Sequence, residues 1–389
     1  MSPGPAARRP FLGVGLDELS GARAPAALAG LRAVGPVVWV PAVEGWLVTG
    51  HATAVGVMKD ARTFTVDDPR FSTARVVGAS MLSLDGAEHR RHRDPFVAPF
   101  RPRQVEEDFG ATARSLAAQL VAAVRPAGRA DLRTCLAGPL SVAVVAHALG
   151  LPTADAREVL DWYDAIVAAV SAHSAGEEPP ARASTAVAEL GAHIGATQGE
   201  HSVLTTARSV LTDREVVANA AVMMFGGIET TEGMITNAVL HLLEAPGWLD
   251  RLRQDRSLLA GVVEESLRLE PAAAVVDRYE TRDVDLAGAT VRRGDLVRVS
   301  ITGANRDPAV YEHPDRFDPA RPGLGLQLSF ARGPHVCLAM GLARLEATVA
   351  VEAVLDLPGL RLAEPATPTG LVFRKPASLV VAWDPPPGG

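Results

Sequence analysis

The sequence predicts a mostly α-helical chain with small β-sheets, on three observations. From about residue 51 to 270, apolar residues recur at three- and four-residue intervals with breaks at Pro, Gly and Asp, the pattern of helices that each bury one face. Strand-like runs flank that region, at 37–40 and 46–49 before it and at 283–287 and 295–301 after it. No internal repeat and no linker rich in Gly, Ser or Pro divides the chain. Residues 1–389 therefore read as one domain, with a hairpin at about 35–50, a helix-rich part at about 51–270 and a β-rich part at about 271–389.

The elements follow in order. Residues 1 to about 35 are a polar, Pro-broken lead-in with one short helix; the runs at 37–40 and 46–49 surround a Gly-containing turn and predict an antiparallel hairpin. The longest stretch without Asp, Glu, Lys or Arg, 134–154, is nearly long enough to span a bilayer. It holds Gly138, Pro139, His147 and Gly150, so it reads as buried helices with a turn between them, not as a membrane segment.

The best-defined helix starts at Thr212-Asp213-Arg214-Glu215, whose Thr-x-x-Glu spacing caps two backbone N–H groups, and meets no proline before Pro246. Such a helix runs for roughly 50 Å at 1.5 Å per residue. Residues 216–228 carry no charge and are expected to be buried on all sides. Gly226 and Gly227 inside it each cost about 1 kcal/mol relative to Ala, which implies a close backbone approach there. A Pro-rich irregular meander spans 307–322, and a final helix is expected just after Cys337, with Leu338, Leu342, Leu345 and Val349 on one face.

Composition narrows the function. The net charge of −7 leaves no basic footprint for nucleic acid; nearly all the positive charge is arginine, since Lys59 and Lys375 are the only lysines, which reflects coding bias and not chemistry. Two cysteines cannot build a disulfide framework, and the first ten residues lack the apolar core of a signal peptide, so a reducing cytoplasm is expected.

Three segments carry chemistry. Phe330-Ala331-Arg332-Gly333-Pro334-His335-Val336-Cys337 is a turn-forming loop that delivers a cysteine to a helix N-terminus, where the dipole and free N–H groups favour the thiolate. The bland alternative is a buried thiol acting as a small hydrophobe. Glu265 and Arg268 share one helix face and can pair, although most such spacings are solvated surface pairs. Gly226-Gly227-Ile228-Glu229-Thr230-Thr231 reads as the only polar break in the buried helix, where an acid and an alcohol point to water, ligand or proton transfer. A threonine that bonds back to a carbonyl of its own helix would instead serve packing.

In this order the three segments resemble the cytochrome P450 family, and the resemblance covers the chain from about residue 35 to its end. Phe330, Gly333 and Cys337 match the family's Phe-x-x-Gly-x-x-x-Cys-x-Gly loop, while Ala331 and Ala339 stand where Gly is usual. Glu265 and Arg268 look like its Glu-x-x-Arg motif, Arg321 like the meander arginine that joins them, and the three are expected to be structural. His89 and Arg93 resemble the His-x-x-x-Arg pair that binds haem propionates, with Arg278 and His335 completing the clamp; cations around two carboxylates make electrostatic sense in themselves. Ala304-Asn305-Arg306-Asp307-Pro308 is a further hallmark. His92, His147 and His241 match no role, and Cys135 is expected in the core.

The resemblance implies the triangular, mostly helical P450 fold, with haem b between the 226–231 helix and the Cys337 helix and Cys337 as the iron's proximal ligand. It implies insertion of one atom of O2 into an organic substrate, with Glu229 and Thr230 supplying the protons that O2 reduction consumes. Electrons are expected from NAD(P)H through a ferredoxin and its reductase, since an iron–sulfur cluster needs about four cysteines. Arg90, Arg91, Arg101, Arg103 and Arg332 are the expected ferredoxin-docking patch.

Substrate contacts are expected from Val76, Val77, Met81 and Leu82; from Val222, Phe225 and Gly226; and from Ala273, Ala274, Val275 and Val276 with Leu371, Val372 and Phe373. These small, apolar residues imply a medium-sized, partly hydrophobic substrate, free or tethered to a carrier, in a natural-product tailoring step performed by a monomer. The rivals are a P450-like haem protein that only binds or recruits, a peroxide-driven enzyme, and a cysteine-nucleophile enzyme built on Cys337 and His335.

Overall fold

The computed structural model describes residues 13–151, 156–175, 177–196 and 202–385. The first twelve residues of the predicted lead-in, and 152–154 of the uncharged stretch, lie outside the described residues. Along the chain come helix α1 (Ala24–Val34), strands β1 (Val37–Val40) and β2 (Gly45–Val48), α2 (His51–Lys59), β3 (Phe64–Thr65), α3 (Ser72–Val77), α4 (Gly86–Val97), α5 (Ala111–Val124) and β4 (Arg129–Asp131). Then follow α6 (Gly138–Leu149), α7 (Ala156–Ala175), α8 (Arg182–Ala196), α9 (Asp213–Glu244), α10 (Leu259–Leu269), β5 (Val275–Glu280), β6 (Leu296–Ser300), α11 (Met340–Leu355), β7 (Arg361–Leu362) and β8 (Val380–Ala382). Two compact units are built from interleaved segments. The first draws on the chain up to Val66, on Asn237–Cys337 and on Pro365–Ala377; the second draws on Asp67–Thr236, on Leu338–Glu364 and on the chain from Ser378.

The first unit is organised by a five-stranded sheet of order β1-β2-β6-β5-β3. The predicted hairpin is there, with Trp39 opposite Trp46, but its second strand also runs parallel to β6, pairing Leu47 with Arg298. That pairing joins residues some 250 positions apart, and no local pattern announces it. Apolar side chains alternate off the sheet onto α2, so that Val48, Val57, Met58, Val297, Val299 and Leu328 form one buried cluster. Leu28 and Leu31 of α1 cover the opposite face against Val38 and Leu47.

In the second unit, α9 begins with the predicted box: the Thr212 amide donates to Glu215 Oε2 at 2.8 Å, and the Glu215 amide to Thr212 Oγ1 at 3.4 Å. The helix has 32 residues, about 48 Å, and none of residues 216–228 is exposed. Gly227 explains itself, since a Cβ there would lie 2.6 Å from Val145 on α6. The predicted final helix is α11, starting three residues past Cys337. Its buried surface differs from the predicted leucine stripe: Leu338 lies ahead of the helix, Leu342 and Val349 are buried, Leu345 is only half-buried, and Ala343, Glu346, Ala347 and Ala350 are buried as well. Strands β4, β8 and β7 form a separate small sheet, with Val381 opposite Ala130 and Leu362. Among the described residues no helix is long and apolar enough to cross a membrane.

Candidate functional site

The cysteine loop of the first unit is shaped by backbone geometry. Gly333 has φ +76°, and a Cβ on it would stand 2.5 Å from the Met58 carbonyl oxygen and 2.8 Å from the Lys59 Cα, so only glycine fits. Ala331 also takes the left-handed region, at φ +57°, which accounts for the glycine usual at that position. Ala339 has φ −92° and needs no glycine conformation. The Ala331 amide donates to Leu328 O and the Val336 amide to Gly333 O. The Cys337 amide donates to Phe330 O at 2.8 Å, closing the loop so that the half-buried thiol stands just ahead of α11.

What holds this loop is a buried polar frame. Arg268, wholly buried, makes a two-pronged pair with Glu265 at 2.7 and 2.8 Å and also donates to the carbonyls of Asn305, Pro314 and Arg316. Arg321 donates to Glu265 Oε1 at 3.2 Å and to the carbonyls of Glu312, His313 and Arg316, so the three residues predicted to be structural do meet. Gly261 admits the meander, because a Cβ there would lie 2.4 Å from Pro319 O. The Asn305 hallmark acquires a role too: its Oδ1 accepts from the Leu328 amide at 2.7 Å, and its Nδ2 donates to Ser329 Oγ, which in turn donates to Leu267 O on α10. Arg306 donates to Leu269 O, and Asp307 caps α2 by accepting from the His51 amide.

The expected clamp residues are divided between the units. Arg278 is buried on β5, with one nitrogen donating to Asp277 O, and His335 is half-buried in the cysteine loop. In the second unit His89 is buried and Arg93 half-buried, one turn apart on the same face of α4. Among the described residues no group of three or more His, Cys, Asp and Glu side chains could hold a metal ion.

Glu229 and Thr230 sit midway along α9. Glu229 is buried, and the Tyr163 hydroxyl on α7 donates to its carboxylate. The Thr230 hydroxyl donates to Gly226 O, the back-bond that packing alone would give, and its oxygen lone pairs remain as acceptors. A Cβ on Gly226 would meet nothing within 4 Å, so this helix face opens onto space. Glu232, one turn on, is paired with Arg133.

The structure corrects three expectations. The 226–231 segment is not the only polar break in α9: Asn219, Thr236 and Asn237 are buried there as well, each hydrogen-bonded. Cys135 is half-buried, with its thiol pushed up to about 11 by burial. Arg91 is no free docking charge, since it pairs with Glu88 and Glu215 and holds Glu215 well below the usual carboxylate range. Arg90, Arg101 and Arg103 are exposed, Arg103 beside Glu107; Arg332 donates to the carbonyls of Gly325 and Gln327.

Two groups of predicted substrate residues do converge within a unit. The Ala274 amide donates to Val372 O at 2.8 Å and Ala273 pairs with Phe373, which joins 273–276 to 371–373. Leu371 packs on the α1 cluster and Val276 on the sheet cluster. In the second unit the Met81 amide donates to Asn219, three residues before Val222 on α9, and Val77, Met81, Val222 and Phe225 are buried while Val76 and Leu82 are half-buried.

Sequence reasoning missed Tyr163, Asn219 and Arg374. Arg374, buried, donates to Glu270 at 2.6 Å and to the carbonyls of Ser20, Gly21, Pro368 and Gly370, bracing the turn that carries 371–373. Asn219 left a visible signal, an amide in an uncharged run; Tyr163 and Arg374 left none.

The first unit thus holds a half-buried thiol on a glycine-shaped loop with Arg278 and His335, and the second holds His89 and Arg93 on α4 and an open helix face at Gly226. Cationic side chains of these kinds and a cysteine at the head of a helix are chemistry that suits haem. A Cytochrome P450 family profile matches residues 199–357. The chain is 36% identical over 376 residues to Nocardicin C N-oxygenase of Nocardia uniformis subsp. tsuyamanensis, covering 91% of this chain and 94% of that protein. It is 35% identical over 350 residues to the cytochrome P450 monooxygenase PikC of Streptomyces venezuelae, covering 84% and 82%. The solved structure of P450BioI in complex with hexadec-9Z-enoic acid ligated acyl carrier protein matches with a TM-score of 0.83 at 28% identity, covering 92% of this chain and 98% of that one. The chain belongs to the cytochrome P450 family. It is a monooxygenase that uses haem b and takes O2 as co-substrate.

Proposed function

We propose that this enzyme oxidises a medium-sized, partly hydrophobic molecule in a natural-product tailoring step, with Cys337 as the iron's ligand and His89, Arg93, Arg278 and His335 on the haem propionates. The haem supplies O2 binding and activation when bound. The chain's residues do the rest. Gly333 and the Asn305 frame fix the thiol; Val77, Met81, Leu82, Val222 and Phe225 offer an apolar lining that excludes water.

The observation that carries this reading is the Glu229–Thr230 notch facing open space at Gly226. Glu229, bonded to the Tyr163 hydroxyl, relays a proton to water in this reading, and Thr230, its own proton committed to Gly226 O, accepts a hydrogen bond and so orients that water. A peroxide-driven enzyme would not need this pair. Electrons arrive from NAD(P)H through a ferredoxin and its reductase, docking on the exposed Arg90 and Arg101 of the second unit, in a reducing cytoplasm. One relative is named as an N-oxygenase of Nocardicin C, and P450BioI is solved in complex with a hexadec-9Z-enoic acid ligated acyl carrier protein, which supports a secondary metabolite presented free or on a carrier.

The test starts from a panel of macrolactones, β-lactam peptides and carrier-bound acyl chains, screened by the optical shift on binding. With the member that binds, Thr230→Ala under NADPH turnover is expected to keep consuming NADPH while a larger share of electrons leaves as hydrogen peroxide. Unchanged product per NADPH overturns the proton-delivery reading.

A further inference from the structure

Asn219 is fully buried on α9, inside the stretch that lacks charge. Its orientation is fixed by two backbone groups of opposite kind. Oδ1 accepts from the Met81 amide at 2.9 Å, and Nδ2 donates to the Glu215 carbonyl at 2.7 Å. A flipped amide would set donor against donor and acceptor against acceptor. Nδ2 also lies 3.0 Å from His92 Nδ1, which must therefore be the acceptor.

One side chain thus ties three pieces together. The first is the loop of Met81 and Leu82, itself a tight turn in which the Ser80 amide donates to Ser83 Oγ at 3.1 Å. The second is α4, where His92 lies between His89 and Arg93. The third is α9, where Val222 and Gly226 lie three and seven residues beyond Asn219 on the same face. A loop carried by a rigid scaffold is as well placed as its attachment, and here a buried amide supplies it.

We propose that Asn219 is a positioning residue for substrate specificity, setting the height of the Met81–Leu82 loop above Val222 and Gly226 and so selecting which part of a substrate is presented. The inference rests on the reading that this loop and Val222 contact the substrate.

The experiment uses the haem-loaded enzyme and two probes, imidazole and 4-phenylimidazole, whose binding is read optically; the phenyl ring reports on the loop and the imidazole does not. Hydrogen exchange of residues 80–83 is followed in parallel. Asn219→Ala is expected to speed exchange at the Met81 amide about tenfold and to weaken 4-phenylimidazole about fivefold, with imidazole unchanged, in line with loss of one buried hydrogen bond. Asn219→Leu, which fills the same volume, is expected to behave alike and carries the test if the alanine variant does not fold. Unchanged Met81 exchange in the Ala and Leu variants overturns the role of Asn219. Faster exchange with an unchanged ratio of the two probes also overturns the specificity proposal, and places the failure in the reading of the pocket.

Discussion

The Tyr163 hydroxyl of α7 donates to the Glu229 carboxylate of α9, one residue before Thr230. A buried side-chain hydrogen bond contributes about 0.5–1.5 kcal/mol, enough to decide where the carboxyl group points. α7 also packs against α3, which carries Val76 and Val77, so this bond joins the expected substrate loop region to the acid.

Tyr163→Phe removes only the hydroxyl. It is expected to lower product per NADPH and to reduce stability in urea by about 1–2 kcal/mol. In a Glu229→Gln background the same change is expected to do little more to the electron balance. Additive losses in the double variant would show that Tyr163 acts on something other than Glu229.

Neighbouring positions in the cysteine loop are predicted to respond with opposite signs. Gly333→Ala places a methyl against Met58 and Lys59 at φ +76° and is expected to destabilise by more than about 2 kcal/mol, with loss of bound haem. Ala331→Gly relieves a left-handed alanine and is expected to stabilise by about 0.5–1 kcal/mol. Denaturant unfolding of both variants checks the pair; a destabilising Ala331→Gly contradicts the strain assigned to this loop.

The frame beneath that loop was half legible. Glu265 and Arg268 three apart, and the Thr212–Glu215 box, are local patterns with a local physical meaning, so the sequence shows them. Asn305 shows only as a motif, since its partners Leu328 and Ser329 arrive from more than twenty residues away. The parallel pairing of β2 with β6 and the reach of Arg374 to Ser20 are set by tertiary packing and leave no periodic trace. Tyr163 was invisible for the same reason: nothing within α7 says that its hydroxyl meets an acid 66 residues on.

Breaking the frame is expected to be severe. Glu265→Gln leaves Arg268 and Arg321 buried with a weakened partner, and loss of one member of a buried ion pair costs about 3–5 kcal/mol. Denaturant unfolding checks this, and a change below about 1 kcal/mol would mean that Arg268 is held by its carbonyl partners alone.

Glu346 on α11 gives a pH signature. Burial raises its carboxyl well above the usual range, so the folded state holds a proton that the unfolded chain releases near pH 4.3. As pH rises past that value the unfolded state is favoured, by up to about 1.4 kcal/mol per pH unit until the folded group ionises. Glu346→Gln removes this loss. The stabilities of variant and parent are expected to run parallel below about pH 4 and to diverge above it in favour of glutamine; parallel curves throughout would place Glu346 in contact with solvent or a partner.

The central claim is that Cys337 is the thiolate ligand of haem. It is tested most directly by the spectrum of the reduced protein under CO. The parent is expected to show the long-wavelength Soret band of thiolate ligation, and Cys337→Ser, with haem bound, to lose it. Retention of that band in the serine variant would contradict the account.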